Sequence, residues 1–257
     1  MIVTITAYKR PHLLARCLES VCAADLSPVS GINVSLDYHS PEMTGVMRAV
    51  CDKFRPKLGS MLTIFPYVVK RLGVANHPRV LFDMLTEELD QQTDICAIEE
   101  DTIVSPDAFM LADWGLKQIG YDFVNLADYK RSGLFNNLVH EDWELRSPYG
   151  WAFTTKLWNW LEPQWNGKIR APYGWDWQVS HLCYREGWRC LTPDIARVYN
   201  TGREEGTYDT PENWDETQKD VLICQDVPNN IGKYVVVSHD RPARAQWPEW
   251  VLREVAP

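Results

Sequence analysis

Glu99, Glu100 and Asp101 stand side by side at the end of an apolar run, Ile95-Cys96-Ala97-Ile98. Nothing in that run alternates with polar residues and Ser105-Pro106 follows, the pattern of a short strand buried on both faces. The acids then sit at the strand's carboxyl end, where open α/β sheets form their ligand crevices. Adjacent carboxylates repel one another unless a cation neutralises them. Hard divalent ions such as Mg²⁺ and Mn²⁺ accept these oxygens, with one or two carboxylates and a substrate's phosphates filling the shell. The triplet reads as a metal and diphosphate site. A second reading is an acidic loop leading into a helix at Pro106, where Asp and Glu suit the first turn.

The elements that must hold these acids are legible on either side. Ile2–Ala7 alternates as a first strand, closed by Tyr8-Lys9-Arg10-Pro11. Leu13, Leu14, Cys17, Leu18 and Val21 recur at helical spacing, with Pro11 suited to the helix start. A second strand is expected over Val29–Asp37, a helix over Glu42–Phe54, a strand over Met61–Val69 and, after a loop through Gly73, a helix over Pro78–Leu89. The acidic strand follows, then a helix to about Ile119 and a strand over 122–126. This alternation predicts an α/β fold with a mostly parallel sheet and a nucleotide-binding half. The expected division is 1–125 for the nucleotide-binding half and 126–257 for a second half of the same domain.

Composition changes in the second half, where eight of the twelve tryptophans lie between Trp143 and Trp188. Aromatic faces stack on sugar rings and bases, although large aromatics also fill cores, and most of the eight are expected to be structural. Val235–Val237 is one further strand before a proline-containing tail from Arg241.

With 24% charged and 45% hydrophobic residues, the chain is expected to be a soluble globular protein. No apolar run reaches the roughly 18–20 residues of a membrane span, and the N-terminus enters a strand pattern at once. Seven cysteines without a C-x-x-C pair suggest neither a zinc site nor a disulfide framework, so a reducing cytoplasm is expected. The net charge is −9, yet from Arg48 to Arg79 seven Lys or Arg face one acid, Asp52. Such a stretch suits either solvated surface or a polyanion track.

Several motifs, in order, resemble the inverting N-acetylglucosaminyltransferase I family of GT-A glycosyltransferases. They begin with Ile2–Thr6, Ala7-Tyr8-Lys9-Arg10-Pro11, Val34-Ser35-Leu36-Asp37 and Ala75-Asn76-His77-Pro78-Arg79. Ile98-Glu99-Glu100-Asp101 followed by Ser105–Phe109 resembles the family's acidic motif. Tyr149-Gly150-Trp151, Leu157-Trp158, Leu161–Trp165, Trp175-Asp176-Trp177 and Pro193–Arg197 through Gly202-Arg203 complete the match, which covers residues 1 to about 207. The middle acid is Glu100 where the family usually has Asp, the region before Trp151 is shorter, and the anchor and stem of eukaryotic members have no counterpart.

The resemblance implies a GT-A, Rossmann-like fold and displacement of a nucleoside diphosphate from a sugar's anomeric carbon. It makes Asp101 the ligand of Mn²⁺ or Mg²⁺, with Glu99 near the donor sugar and Glu100 near the ribose. Asp176 matches the catalytic aspartate, although an Asp between two tryptophans can also cap an indole N–H or a helix start. Arg10, Asp37 and His77 match donor-binding positions, and Thr207 matches a donor-contacting serine in a loop bounded by Gly202 and Gly206. His239 is a lesser candidate for a second metal ligand.

The expected donor is a UDP-sugar carrying GlcNAc, glucose or galactose, and the expected acceptor a glycan or small molecule. Hydroxymethylated DNA is an alternative acceptor, for which the basic stretch would track phosphates. A non-catalytic carbohydrate-binding protein of the same fold is a further alternative. A nucleotidyltransferase would carry a glycine-rich phosphate loop after the first strand, and Thr6–Arg10 is not one.

Overall fold

The sheet grows from the N-terminal strand β1 (Ile2–Ala7), whose alternating residues fill both faces. The structure is a computed structural model, and it describes residues 1–66, 70–88, 93–127, 135, 137–145, 149–165, 175–202 and 234–238. Helix α1 (Pro11–Ala23) starts on Pro11 and buries Leu13, Leu14, Cys17, Leu18 and Val21, the stripe that spacing predicted. Strand β2 (Gly31–Leu36) pairs parallel with β1, and α2 (Pro41–Leu58) starts on Ser40, whose hydroxyl accepts the Met43 N–H. Strand β3 (Leu62–Pro66) and α3 (Asn76–Glu88) complete the first half. Residues 67–69 and 89 of the expected strand and helix lie outside the described residues.

The acidic strand β4 (Ile95–Glu99) lies parallel to β1 on the side opposite β2. It is followed by β5 (Thr102–Val104), α4 (Ala108–Leu116), β6 (Phe123–Asn125), β7 (Leu138–Asp142) and β8 (Gly150–Phe153). Helices α5 (Thr155–Leu161) and α6 (Trp175–Glu186), strands β9 (Cys190–Pro193), β10 (Val198–Asn200) and β11 (Val235–Val237) finish the fold. Nine strands form one mixed sheet in the order β11-β7-β9-β6-β8-β4-β1-β2-β3. Five of its eight pairings are parallel; β8 runs antiparallel to β4 and β6, and β7 antiparallel to β9. The sheet therefore crosses from the first half of the chain into the second, and strand order reverses between β1 and β4. The acids follow β4 at that switch point, the place where open α/β sheets form their ligand crevices.

Alternation along β4 divides the core. Cys96 and Ile98 join Leu14, Cys17, Phe109 and Leu111 on one face, and Ile95 and Ala97 join Phe82, Trp151 and Trp158 on the other. Five of the eight clustered tryptophans (143, 151, 158, 165 and 175) are buried. Trp151 stacks on Phe153 at 4.2 Å and Trp165 on Trp175 at 5.2 Å, so this half of the sheet is closed mainly by aromatic packing.

The reading of the acids as a lead into a helix at Pro106 does not hold. Strand β5 intervenes, pairs antiparallel with β10, and only then does α4 start, at Ala108. Below this ribbon lies a fully buried ion pair, Arg197 with Asp107, at 2.9 and 3.0 Å. Ser105 and Tyr234 donate hydroxyls to the same carboxylate, and Arg197 also donates to the Ile195 carbonyl. Removing one partner strands a buried charge. Asp107→Ala is expected to lower unfolding free energy by about 3–5 kcal/mol, measured by urea denaturation.

Candidate active site

Because β4 ends at Glu99, the next two residues leave the sheet beside the end of β1. The Glu100 N–H donates to the Thr6 carbonyl at 2.9 Å, holding the turn against β1. The Glu100 carboxylate turns back onto the first loop, accepting the Tyr8 N–H at 3.0 Å and Arg10 Nε at 2.7 Å. The same guanidinium reaches Asp101 Oδ2 at 2.8 Å. Arg10 is therefore the fixed countercharge of two neighbouring acids, both buried. Its match to a donor-binding position stays an expectation.

Asp101 is held by its backbone as well. Its carbonyl accepts the Thr201 N–H at 2.6 Å and the Thr201 hydroxyl at 2.9 Å, tying the acidic turn to the end of β10. Gly202 follows, and a Cβ there would lie 2.3 Å from Asp101 Oδ2. Among the described residues Asp101 Oδ1 has no hydrogen-bond partner, although it is buried. A buried carboxylate oxygen without a donor is costly, and a hard divalent cation is the partner its chemistry fits. Among the described residues no cluster of three or more His, Cys, Asp or Glu forms a protein-only cage. The donor set is instead a single carboxylate at the sheet's switch point, which suits an ion completed by substrate phosphates and water.

Glu99 points to the face opposite Ile98, towards the aromatic cluster. Burial, reinforced by the charge of Asp101, pushes its carboxyl up to about 8, and Asp176 adds to the same field. Asp176 lies in the first turn of α6, beside the buried Trp175. Burial pushes it up to about 6, opposed by N–H groups of Asp176 and Trp177 at the helix start. Glu99, Asp101 and Asp176 thus share one electrostatic site drawn from β4 and α6.

Asp37 and His77 occupy the opposite side of the crevice, both buried. Asp37 accepts three backbone N–H groups, from Tyr38, Leu72 and Gly73. His77 Nε2 lies 2.6 Å from the Ser35 hydroxyl, and its N–H donates to the Gly73 carbonyl. Burial, partly offset by Asp37, pushes the imidazole down to about 4, so it is neutral at physiological pH. Thr207 and His239 lie outside the described residues. Within the basic stretch Arg55 pairs with Asp52, Arg79 with Glu162 and Asp83, and Arg71 covers Tyr8, while Arg48, Lys53 and Lys57 are exposed along α2. Tyr8 and Thr201 join the site only through contacts some 90–100 residues away, for which the sequence carries no local signal.

No protein-family model and no curated protein sequence matches the chain. Solved structures do. A mannosyltransferase, PcManGT from Pyrobaculum calidifontis, in complex with GDP-Man and Mn²⁺, superposes with a TM-score of 0.58 at 14% identity, over 80% of this chain and 58% of its own. TarS from S. aureus gives 0.57 at 13% identity, over 84% of this chain and 42% of its own. Its 1–349 fragment in complex with UDP-GlcNAc gives 0.56 at 13%, over 84% and 64%. The chain thus spans less than two thirds of each. At these identities the likeness establishes the fold, which is the GT-A, Rossmann-like arrangement. No helix among the described residues is long and apolar enough to cross a membrane.

The tight approach of Gly202 gives a test of the metal side. Gly202→Ala must displace a carboxylate that Arg10 pins, and if the site takes a nucleotide with Mn²⁺ the change is expected to cut that binding about 10- to 100-fold. Isothermal calorimetry would measure this, with circular dichroism confirming an intact fold.

Proposed function

We propose that the chain is a metal-dependent, inverting glycosyltransferase. In this reading it moves GlcNAc, glucose or galactose from a UDP-sugar to a hydroxyl of a glycan or small molecule. The observation that carries the proposal is the buried, unpartnered Asp101 Oδ1 at the sheet's switch point, with Asp176 across the same site. The fold shared with nucleotide-sugar enzymes and the motifs resembling the N-acetylglucosaminyltransferase I family support it. The net charge of −9 favours glycan or small-molecule acceptors over DNA. Six free cysteines among the described residues support a reducing, cytoplasmic setting.

The chemistry divides between the two sides of the crevice. Asp176 takes the proton of the acceptor hydroxyl, whose oxygen bonds to the anomeric carbon from the face opposite the diphosphate. The bond from that carbon to the diphosphate oxygen breaks, and its electron pair leaves with the diphosphate. Mn²⁺ or Mg²⁺ held by Asp101 would supply Lewis-acid neutralisation of the charge that grows on the leaving group. Arg10 and the Tyr8 N–H keep Glu100 and Asp101 in place without moving. Glu99, between Asp101 and Asp176, faces the donor sugar.

A base must be ionised, so a raised carboxyl moves the acid limb of the rate profile upward. Transfer is expected to fall tenfold per pH unit below about 6 and to level off above it. Stability has the opposite sign. Between about pH 4 and about 6 the folded state keeps a proton that the unfolded state has lost, so stability falls as pH rises through that window. Asp176→Asn is therefore expected to abolish transfer, retain nucleotide binding and raise stability at pH 7 by about 1–3 kcal/mol. A merely structural helix cap would lose stability on the same change.

The direct test of substrate class is a panel of UDP-GlcNAc, UDP-glucose, UDP-galactose and GDP-mannose with Mn²⁺. Each donor is offered glycans, small molecules, plain DNA and 5-hydroxymethylated DNA, with mass spectrometry of the acceptors. Transfer from a UDP-sugar to a glycan or small molecule is expected. Transfer to hydroxymethylated DNA alone would replace the acceptor, and binding of nucleotide without turnover on any acceptor would favour a non-catalytic protein.

A further inference from the structure

Asp37 matches a donor-contacting position, yet its carboxylate is already engaged by the protein. Oδ1 accepts the Tyr38 N–H at 2.9 Å and the Leu72 N–H at 2.7 Å, and Oδ2 accepts the Gly73 N–H at 2.8 Å. Only 4% of the residue is exposed. Gly73 has φ +80°, a conformation that side-chain-bearing residues rarely adopt, so the turn after Arg71 is tightly specified. What this turn presents is Arg71, exposed, with its guanidinium carbon 4.5 Å from the centroid of the Tyr8 ring.

Tyr8 is fixed independently, because its N–H is held by Glu100 of the acidic motif. Lys9 lies 5.5 Å above the same ring, and the exposed His39 ring is 5.5 Å from it. Neither Lys9 nor Arg71 pairs with an acid among the described residues: the nearby carboxylates of Asp37 and Glu100 are taken by backbone N–H groups and by Arg10. Two cations and two rings therefore cluster where β1 and β2 end. A guanidinium plane can stack on a nucleobase or grip a phosphate, and an aromatic face beside it suits a base.

We propose that Asp37 is a positioning residue that acts on the donor through Arg71, and that Arg71 and Tyr8 are the groups touching the nucleoside diphosphate on this side of the site. The inference rests on the nucleotide-sugar reading above. Asp37 holds the 72–73 amides, the amides set the path of the chain, and Arg71 is delivered over Tyr8. The acidic motif holds the same residue through the Tyr8 backbone N–H, so both halves of the donor site meet at Tyr8.

The experiment is a double-variant cycle on the full chain. Calorimetry with UDP and with GDP, each with Mn²⁺, is run on the unaltered protein, Arg71→Ala, Arg71→Lys, Asp37→Asn and Asp37→Asn/Arg71→Ala. Expected are a loss of at least tenfold for Arg71→Ala, partial recovery with Arg71→Lys and a comparable loss for Asp37→Asn. The double variant should bind no more than twofold worse than the weaker single variant. In transfer assays the donor KM should rise while kcat changes less than threefold. Unchanged affinity in Arg71→Ala, or losses that multiply in the double variant, would overturn the inference and make Asp37 a direct contact. If Asp37→Asn does not fold, the surface change Arg71→Ala decides alone. Failure of the unaltered protein to bind either nucleotide would overturn the nucleotide-sugar reading and this inference with it, an outcome distinct from the others.

Discussion

Crowding of three carboxylates at the end of β4 is the constraint around which the site is built. Left alone they would repel and destabilise the turn. Arg10 bridges Glu100 and Asp101, the Tyr8 N–H takes the remaining Glu100 oxygen, and Thr201 grips the Asp101 carbonyl from β10. Compensation is incomplete, and the shortfall is localised. It falls on Asp101 Oδ1, which has no hydrogen-bond partner among the described residues, and on Glu99, whose carboxyl burial drives upward. A site left short of positive charge at a sheet's switch point is prepared for a cation arriving with an anionic ligand.

Stability comes from elsewhere, which leaves that shortfall tolerable. The face of the sheet behind Glu99 and Asp176 is packed with Phe82, Trp151, Phe153, Trp158, Trp165 and Trp175. These rings supply large apolar burial with few rotatable bonds, a rigid wall for α6 and hence for Asp176. On the other side, the buried Arg197–Asp107 pair locks the β5–β10 ribbon to α4. The ribbon carries Thr201 and Gly202, so this distant ion pair fixes the height of the acidic turn.

Much of the first half was legible because its signals are local. The helical stripe of α1, the alternation of β1 and the apolar run of β4 each follow from burial on one or two faces, and the structure places them within a few residues of expectation. Strand β5 was missed because three residues carry no periodicity, and its partner β10 lies almost a hundred residues later. Most of the tryptophans proved to be core, as their number suggested. The roles of Arg10 and Asp37 needed the fold: an arginine beside a proline and an aspartate at a strand end do not announce that one neutralises the acidic motif and the other clamps a loop. Thr207 and His239 lie outside the described residues and stay proposals.

The central claim is that Asp101 Oδ1 receives a divalent cation when a nucleotide occupies the crevice. Anomalous diffraction from crystals grown with Mn²⁺ and UDP tests it most directly. The account predicts one strong manganese peak within coordination distance of Asp101 Oδ1, shared with diphosphate oxygens, with Arg10 still on Glu100. A nucleotide seated at the switch point with manganese bound to other residues, or with Asp101 Oδ1 contacting only protein, would contradict it.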